Sequence, residues 1–349
     1  MKHTNWAGFN PGVWQDEINV RNFIQTNYKA YDGDASFLAG ATPRTEALMK
    51  KIQSLFAIER QFGGVLDIDT NTVSSLTAYA PGYVDQENEL IVGSATVAPR
   101  GCQVFPEYSF EWLEAEFDTV ETRSADPFYI SEQTKEALRE VHQYWKGKTT
   151  SELATSYMSD EAKMAIEHNI FTPGNYFYNG IGHLTVDYPK VLAVGYNGII
   201  NEAKDALGKL SQGDADYAKR THFLNAVIMS CQAAIHYANR YAELAASMAK
   251  TELCVHRKKE LLDIADACSN VPQYGAKSFR EACQSFWFIQ MLLQIESSGH
   301  SISPGRFDQY MYPYYKKDLD AGIITREEAQ ELMDCIWVKL NDLNKCRDA

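Results

Sequence analysis

Phe286-Trp287-Phe288-Ile289-Gln290-Met291-Leu292-Leu293 runs almost directly into Glu296-Ser297-Ser298-Gly299-His300-Ser301-Ile302-Ser303-Pro304-Gly305-Arg306-Phe307-Asp308-Gln309-Tyr310. The first stretch is apolar on nearly every face, which predicts a helix buried on most sides rather than one lying on a surface. Ser278 with Glu281 supplies a capping box for its start. The second stretch is densely polar and contains glycine. A buried helix end leaves carbonyls without intrahelical partners, and hydroxyl, imidazole and guanidinium groups can satisfy them. Two readings of that polar stretch are open: a structural hydrogen-bond network, or a pocket that holds a small polar substrate. Spacing alone favours the first.

Outward from this point, helical signals dominate. Thr42-Pro43 predicts an N-cap with proline in the first turn, and Leu48, Ile52 and Leu55 follow at helical spacing until Gly63-Gly64. Ser131 predicts the start of a helix through Leu138, Val141 and Trp145 that closes near Gly147, and Thr149 with Glu152 caps the next. From Tyr217 to Val271 the pattern predicts two long amphipathic helices. Phe223, Ala226, Val227, Ser230, Ala234, Tyr237, Tyr241 and Leu244 form the apolar stripe of the first. Thr325 with Glu328 caps a final helix that runs to about Asn344. Strand signals are sparse. Leu90-Ile91-Val92-Gly93 is a short apolar run ended by glycine, and Leu184-Thr185-Val186 is a weaker candidate. Tyr310-Met311-Tyr312-Pro313-Tyr314-Tyr315 predicts a packed turn. The expected class is mostly α, without the strand–helix alternation of a complete parallel sheet.

Composition narrows the function classes. A net charge of −13 repels nucleic acid and anionic membranes. The densest basic group, Arg257-Lys258-Lys259, predicts a solvated helix face. No run of about 18 apolar residues predicts a membrane span, and the first residues, Met1-Lys2-His3-Thr4-Asn5-Trp6, lack the apolar core of a signal peptide. The seven cysteines are odd in number, widely spaced and without a Cys-x-x-Cys pair, which argues against a disulfide framework and a zinc site and points to the reducing cytoplasm. Cys231, Cys268, Cys283 and Cys335 fall on apolar faces and are expected to pack as small core residues.

A second unusual segment is Gly180-Ile181-Gly182-His183-Leu184-Thr185-Val186-Asp187-Tyr188. Its glycines permit an irregular backbone beside His183. A histidine so placed can donate a proton to a leaving group near neutral pH; on spacing alone a turn with a structurally bonded histidine is the commoner outcome. Neither segment carries the spacing of a zinc protease, a serine hydrolase or a phosphate-binding loop.

These segments carry a resemblance. Ile91-Val92-Gly93, Pro99-Arg100 and Val104-Phe105-Pro106-Glu107 resemble the glycyl radical dehydratases, and Tyr144-Trp145-Lys146-Gly147-Lys148-Thr149-Thr150-Ser151-Glu152-Leu153-Ala154 is similar to glycerol dehydratase. So are Gly174-Asn175-Tyr176-Phe177-Tyr178-Asn179-Gly180, Tyr196-Asn197-Gly198-Ile199-Ile200-Asn201-Glu202-Ala203-Lys204, Gly299-His300-Ser301, Arg306-Phe307-Asp308-Gln309-Tyr310 and Leu340-Asn341-Asp342-Leu343-Asn344-Lys345. The likeness covers about residues 90 to 349. Before it, Asn19-Val20-Arg21-Asn22-Phe23-Ile24-Gln25, Tyr31-Asp32-Gly33-Asp34, Ser36-Phe37-Leu38-Ala39-Gly40, Thr72-Val73-Ser74-Ser75-Leu76-Thr77 and Ala80-Pro81-Gly82-Tyr83 resemble the start of pyruvate formate-lyase, a relative of the same fold. The chain reads as a mosaic: 1–93 formate-lyase-like, 94–349 the N-terminal half of a dehydratase-type domain.

The resemblance implies a mostly α fragment of the α/β glycyl radical enzyme fold, a ten-stranded barrel, holding the helical outer layer and only the first strands. It implies a cobalamin-independent glycerol or 1,2-propanediol dehydratase. In that family a stored glycyl radical oxidises a mid-barrel cysteine to a thiyl, which takes a hydrogen atom from C1 of the diol. A carboxylate deprotonates the C1 hydroxyl, and the C2 hydroxyl leaves as water. By motif, His183 protonates that leaving hydroxyl, and His300 and Ser301 hold the diol. No cofactor is bound directly; the radical is installed by an S-adenosylmethionine-dependent iron–sulfur activase. A homodimer in the cytoplasm, or inside a bacterial microcompartment, is the implied setting. Pyruvate formate-lyase carries arginines in the corresponding glycine-rich stretch, suited to a carboxylate, where Ile181 and His183 stand here; a neutral diol fits better. Choline lyase places an aspartate near this site, whereas the nearest acid here, Asp187, belongs to the shared Asp-Tyr pair. The Gly-Cys-Val-Glu segment with the thiyl cysteine and the Arg-Val-x-Gly-Tyr segment with the radical glycine are absent from these 349 residues, so the chain alone is expected to be inactive. The alternatives are a formate C-acetyltransferase role, suggested by residues 1–93, and a non-catalytic assembly module.

Overall fold

Long amphipathic stretches separated by short capped breaks build most of the molecule. The computed structural model describes residues 65–66, 88–94, 101–123, 130–171, 182–296, 301–341 and 343–345. The elements are β1 (Val65–Leu66), β2 (Gly101–Gln103), α1 (Glu111–Glu116), α2 (Glu132–Trp145), α3 (Thr150–Ser156), α4 (Asp160–Glu167), α5 (Tyr188–Gly208), α6 (Tyr217–Thr251), α7 (Val255–Asn270), α8 (Phe279–Glu296), α9 (Phe307–Asp320), α10 (Arg326–Asn341) and β3 (Asn344–Lys345). The three short strands form one parallel sheet in the order β1-β2-β3, with Cys102 opposite Asn344.

Local signals set the helix starts. The Ser131 hydroxyl accepts from Thr134 N at 3.1 Å. At Thr149 both arms of the capping box are made, Glu152 N to Thr149 Oγ1 at 3.1 Å and Thr149 N to Glu152 Oε2 at 3.1 Å. Thr325 and Glu328 repeat the device at 3.1 and 2.8 Å. At α8 only half of the expected box forms: Ser278 Oγ accepts from Glu281 N, but the Glu281 carboxylate takes Lys277 N instead. Asp318, buried on α9, supplies a further acceptor to Phe279 N at 2.7 Å. The Thr42-to-Gly64 helix lies outside the described residues.

Two cores result. The larger gathers α5 to α10 around α8, whose Phe286, Trp287, Phe288 and Met291 are all at most 1% exposed. Burying each such side chain contributes about 1.5–3 kcal/mol. The smaller packs Val104, Leu113, Phe117, Val120, Ile130 and Leu138 between α1 and α2. Cys231, Cys268, Cys283 and Cys335 are buried as expected. Burial pushes the Cys231 thiol up to about 11 and raises those of Cys268 and Cys283 as well, so these three stay protonated near neutral pH.

Several expectations are corrected. Leu90-Gly93 is not a strand. It is an irregular buried segment whose polar backbone is satisfied by helix side chains: the Gln284 amide accepts from Val92 N at 2.9 Å and donates to Val92 O at 2.7 Å. Trp287 Nε1 donates to Gly93 O at 3.0 Å, Tyr237 Oη donates to Ser94 O at 2.5 Å, and Ser94 N donates to Tyr241 Oη at 3.0 Å. The second strand candidate reduces to a single parallel bridge between Thr185 and Ser303. Tyr310-Tyr315 lies within α9 rather than in a turn, with Pro313 inside the helix. Of the basic group, Arg257 is 4% exposed; it donates to Glu89 O at 2.9 Å and pairs with Glu260 at 2.8 Å. The stripe on α6 is buried only in its C-terminal part, from Cys231 onward, and Phe223 is 67% exposed. The last helix stops at Asn341, and Asn344-Lys345 pairs as strand instead.

The small core contains a titratable joint. His142 is 1% exposed and stacks on Phe110 at 4.6 Å, with Nδ1 2.7 Å from Glu114 Oε1 and Nε2 without a hydrogen-bond partner. Burial outweighs the Glu114 carboxylate and lowers the imidazole below its ordinary value. The unfolded chain therefore takes up a proton first on acidification. Stability from this group is full above about pH 6.5 and declines as pH falls toward the lower folded value. Urea midpoints at about pH 7.5 and 5.5 should differ less in His142→Asn than in the parent; equal slopes in the two proteins would show that His142 does not contribute.

Candidate functional site

The two segments singled out by their polar and glycine content come together. α5 opens at Tyr188, where Asp187 caps the helix by accepting from Lys190 N at 3.2 Å. That cap gives Asp187 a structural task. The preceding residues run alongside the stretch that follows α8: Ser303 N donates to Leu184 O at 3.1 Å, and Thr185 and Ser303 form the parallel bridge. Gly305, at φ +67°, lies over Thr185, and a Cβ there would sit 2.8 Å from the Thr185 methyl. No other residue type allows that approach without movement.

His183 and Ser301 both adopt left-handed backbone, at φ +59° and +58°. Such values are uncommon outside glycine, and observed outliers of this kind cluster at functional sites. Both residues are exposed. His183 and Ser301 each lie two residues before the bridged residue of their own segment, Thr185 and Ser303 respectively. His300 lies outside the described residues. Arg306 does not face the joint's partners; its guanidinium pairs with Asp308 at 3.1 and 3.2 Å, which holds the Asp308 carboxyl below its ordinary range.

Three further residues, not singled out by sequence reasoning, hold the joint from the core. Tyr188 Oη donates to Gln290 Oε1 at 2.5 Å, and Gln290 Nε2 donates to Ile302 O at 2.9 Å. Tyr310 Oη donates to Pro304 O at 2.8 Å, and its ring stacks on Tyr188 with centroids 5.2 Å apart. Burial raises the Tyr188 and Tyr310 phenols, so both remain donors. A glutamine inside an otherwise apolar run was the available signal, since a buried amide requires partners. Among the described residues no group of three His, Cys, Asp or Glu side chains could hold a metal, and no helix is long and apolar enough to cross a membrane.

The arrangement presents an exposed imidazole and an exposed hydroxyl on two paired segments with left-handed backbone, backed by a hydrogen-bonded core. Both groups are able to hydrogen-bond a small polar molecule.

Comparison with known proteins supplies the context. Residues 13–349 match the family described as pyruvate formate lyase-like. A structure concerning 1,2-propanediol dehydration in Roseburia inulinivorans superposes with a TM-score of 0.80 at 53% identity, covering 90% of this chain and 39% of that one. The glycerol-bound form of the B12-independent glycerol dehydratase from Clostridium butyricum gives 0.78 at 49% identity, covering 89% and 41%. The (2S)-3-sulfopropanediol dehydratase of Klebsiella oxytoca is 38% identical over 267 residues, 75% of this chain and 32% of that protein. The chain thus spans about a third of the length of that curated relative. The described helices and short parallel strands are a mostly helical part of the glycyl radical enzyme barrel fold.

Proposed function

Because the chain belongs to the pyruvate formate lyase-like family, we propose that it forms the substrate-holding and leaving-group side of a glycyl radical diol dehydratase acting on glycerol or 1,2-propanediol. The observation that carries the reading is the pairing of the His183 segment with the Ser301 segment. The similar structures concern 1,2-propanediol dehydration and a glycerol-bound dehydratase, which supports a neutral diol.

In this reading Ser301 and His300 fix the diol by hydrogen bonds. His183 donates a proton to the C2 hydroxyl, which leaves as water; the remaining atoms form an aldehyde, so no net oxidant is consumed. A thiyl cysteine in the completed enzyme would take a hydrogen atom from C1 and return it to the product radical, while a carboxylate would take up the C1 hydroxyl proton. The glycyl radical is installed by a separate S-adenosylmethionine activase, and the working unit is a homodimer. The mosaic reading, with formate-lyase-like residues 1–93 ahead of a dehydratase-type 94–349, belongs to the same proposal.

The test supplies what the residues lack. The 349 residues alone, incubated anaerobically with activase and either diol, should give neither aldehyde nor a glycyl radical doublet. Joined to the remaining length of a glycerol dehydratase relative, the completed enzyme should give both. A radical signal from the chain alone, or pyruvate cleavage rather than diol turnover by the completed enzyme, would overturn the reading.

A further inference from the structure

Gln290 occupies an unusual place. It is 3% exposed in the most apolar stretch of the chain, among Phe286, Trp287, Phe288 and Met291. A buried amide there is costly unless every polar atom finds a partner. Its two ends serve different segments. Oε1 accepts from Tyr188 Oη at 2.5 Å, at the helix start that follows the His183 segment. Nε2 donates to Ile302 O at 2.9 Å, one residue after Ser301.

We infer that Gln290 is a positioning residue that sets the relative placement of His183 and Ser301, and so tunes diol binding from within the core. The inference rests on the proposed dehydratase reading. The joint has a polarity that an uncharged side chain with one acceptor and one donor satisfies. One side offers a phenol O–H and needs an acceptor; the other offers a carbonyl and needs a donor. Leucine satisfies neither. An ionised glutamate accepts from Tyr188 but repels the Ile302 carbonyl, whereas a protonated one can donate to it. The Ser303–Leu184 hydrogen bond then remains between the two segments, with Tyr310 bracing Pro304. Both left-handed residues flank this joint, and strained backbone persists only where its surroundings over-determine it. Loosening the joint frees Ser301 to leave φ +58° and withdraws it from the diol.

The experiment uses the completed enzyme. Gln290→Leu should raise KM for 1,2-propanediol by about tenfold or more while kcat changes less, since binding geometry is lost before the proton donor is. Gln290→Glu should show the same defect at neutral pH and recover toward the parent KM as the solution is acidified, a profile that altered packing alone does not produce. Parent-like KM in Gln290→Leu, or identical pH-independent losses in both variants, would overturn the inference. Amide hydrogen exchange keeps the joint testable apart from the substrate reading. In Gln290→Leu, residues 182–187 and 301–305 should exchange faster while α6 and α7 keep their protection. If the parent turns over no diol, the dehydratase reading fails and exchange alone decides the joint: unchanged exchange at those segments overturns it.

Discussion

Lys339→Met should destabilise the chain by about 3–5 kcal/mol, read as a fall in the urea midpoint, because it removes the ammonium paired with a buried carboxylate. Lys339 on α10 is 3% exposed and Glu89 is 4% exposed, and their side chains pair directly. Arg257 on α7 holds the Glu89 backbone carbonyl at 2.9 Å and pairs with Glu260 at 2.8 Å. The Trp287 ring lies 5.8 Å from the Lys339 ammonium. One irregular segment, 88–94, is thereby fastened to α6, α7, α8 and α10 by charge and by the hydrogen bonds to Val92, Gly93 and Ser94. Removing both charges together should recover much of the loss, since two apolar side chains can fill a space that one orphaned charge cannot. A double variant Glu89→Leu with Lys339→Met that is no more stable than Lys339→Met alone would show that the pair is not what holds the segment. At the surface, by contrast, the Lys316–Asp320 pair, 53% and 61% exposed, should be replaceable without a detectable change in midpoint.

That clamp was invisible in the sequence, and the reason is general to the molecule. Caps are local: Ser131, Thr149 with Glu152, and Thr325 with Glu328 find their partners within three residues, so spacing alone locates them. Val92, Gly93 and Ser94 find their partners on Gln284, Trp287, Tyr237 and Tyr241, more than a hundred residues away. An apolar run of four residues ending in glycine fits a strand and a buried loop equally well until those partners are known. Arg257 fails for the same reason. Beside Lys258 and Lys259 it reads as solvated; Glu260 is within reach at i+3, but only the fold brings the Glu89 carbonyl to it. Pro313 misled locally, since proline usually ends or bends a helix, yet α9 continues through it.

The site divides along the same line. Gly180-Tyr188 and Glu296-Tyr310 were conspicuous because glycine and polar residues interrupt apolar surroundings. Their adjacency was not, because a bridge from Thr185 to Ser303 leaves no mark on either segment. Gln290 stood within the apolar run without being singled out, although a buried amide needs partners and so was an available signal of a tie between elements. Which elements it ties became known only from Tyr188 and Ile302.

His183→Asn in the completed enzyme should lower kcat for diol dehydration by about 10²- to 10⁴-fold, the range that a positioned proton donor contributes, with a smaller change in KM. Asparagine is the informative replacement. At φ +59° an alanine is strained, whereas asparagine tolerates left-handed backbone and preserves the Ser303–Leu184 pairing. It keeps hydrogen-bonding capacity but cannot deliver a proton, so loss of kcat isolates the acid role from the role in shape. The leaving group supplies the decisive comparison. A diol analogue with fluoride in place of the C2 hydroxyl departs with less need of a proton, and the variant's deficit should shrink on it. A His183→Asn enzyme with parent turnover, or one equally impaired on hydroxyl and fluoride substrates, would remove the imidazole from the leaving-group step. The substrate-binding role would then rest on Ser301 and on the Gln290 joint behind it.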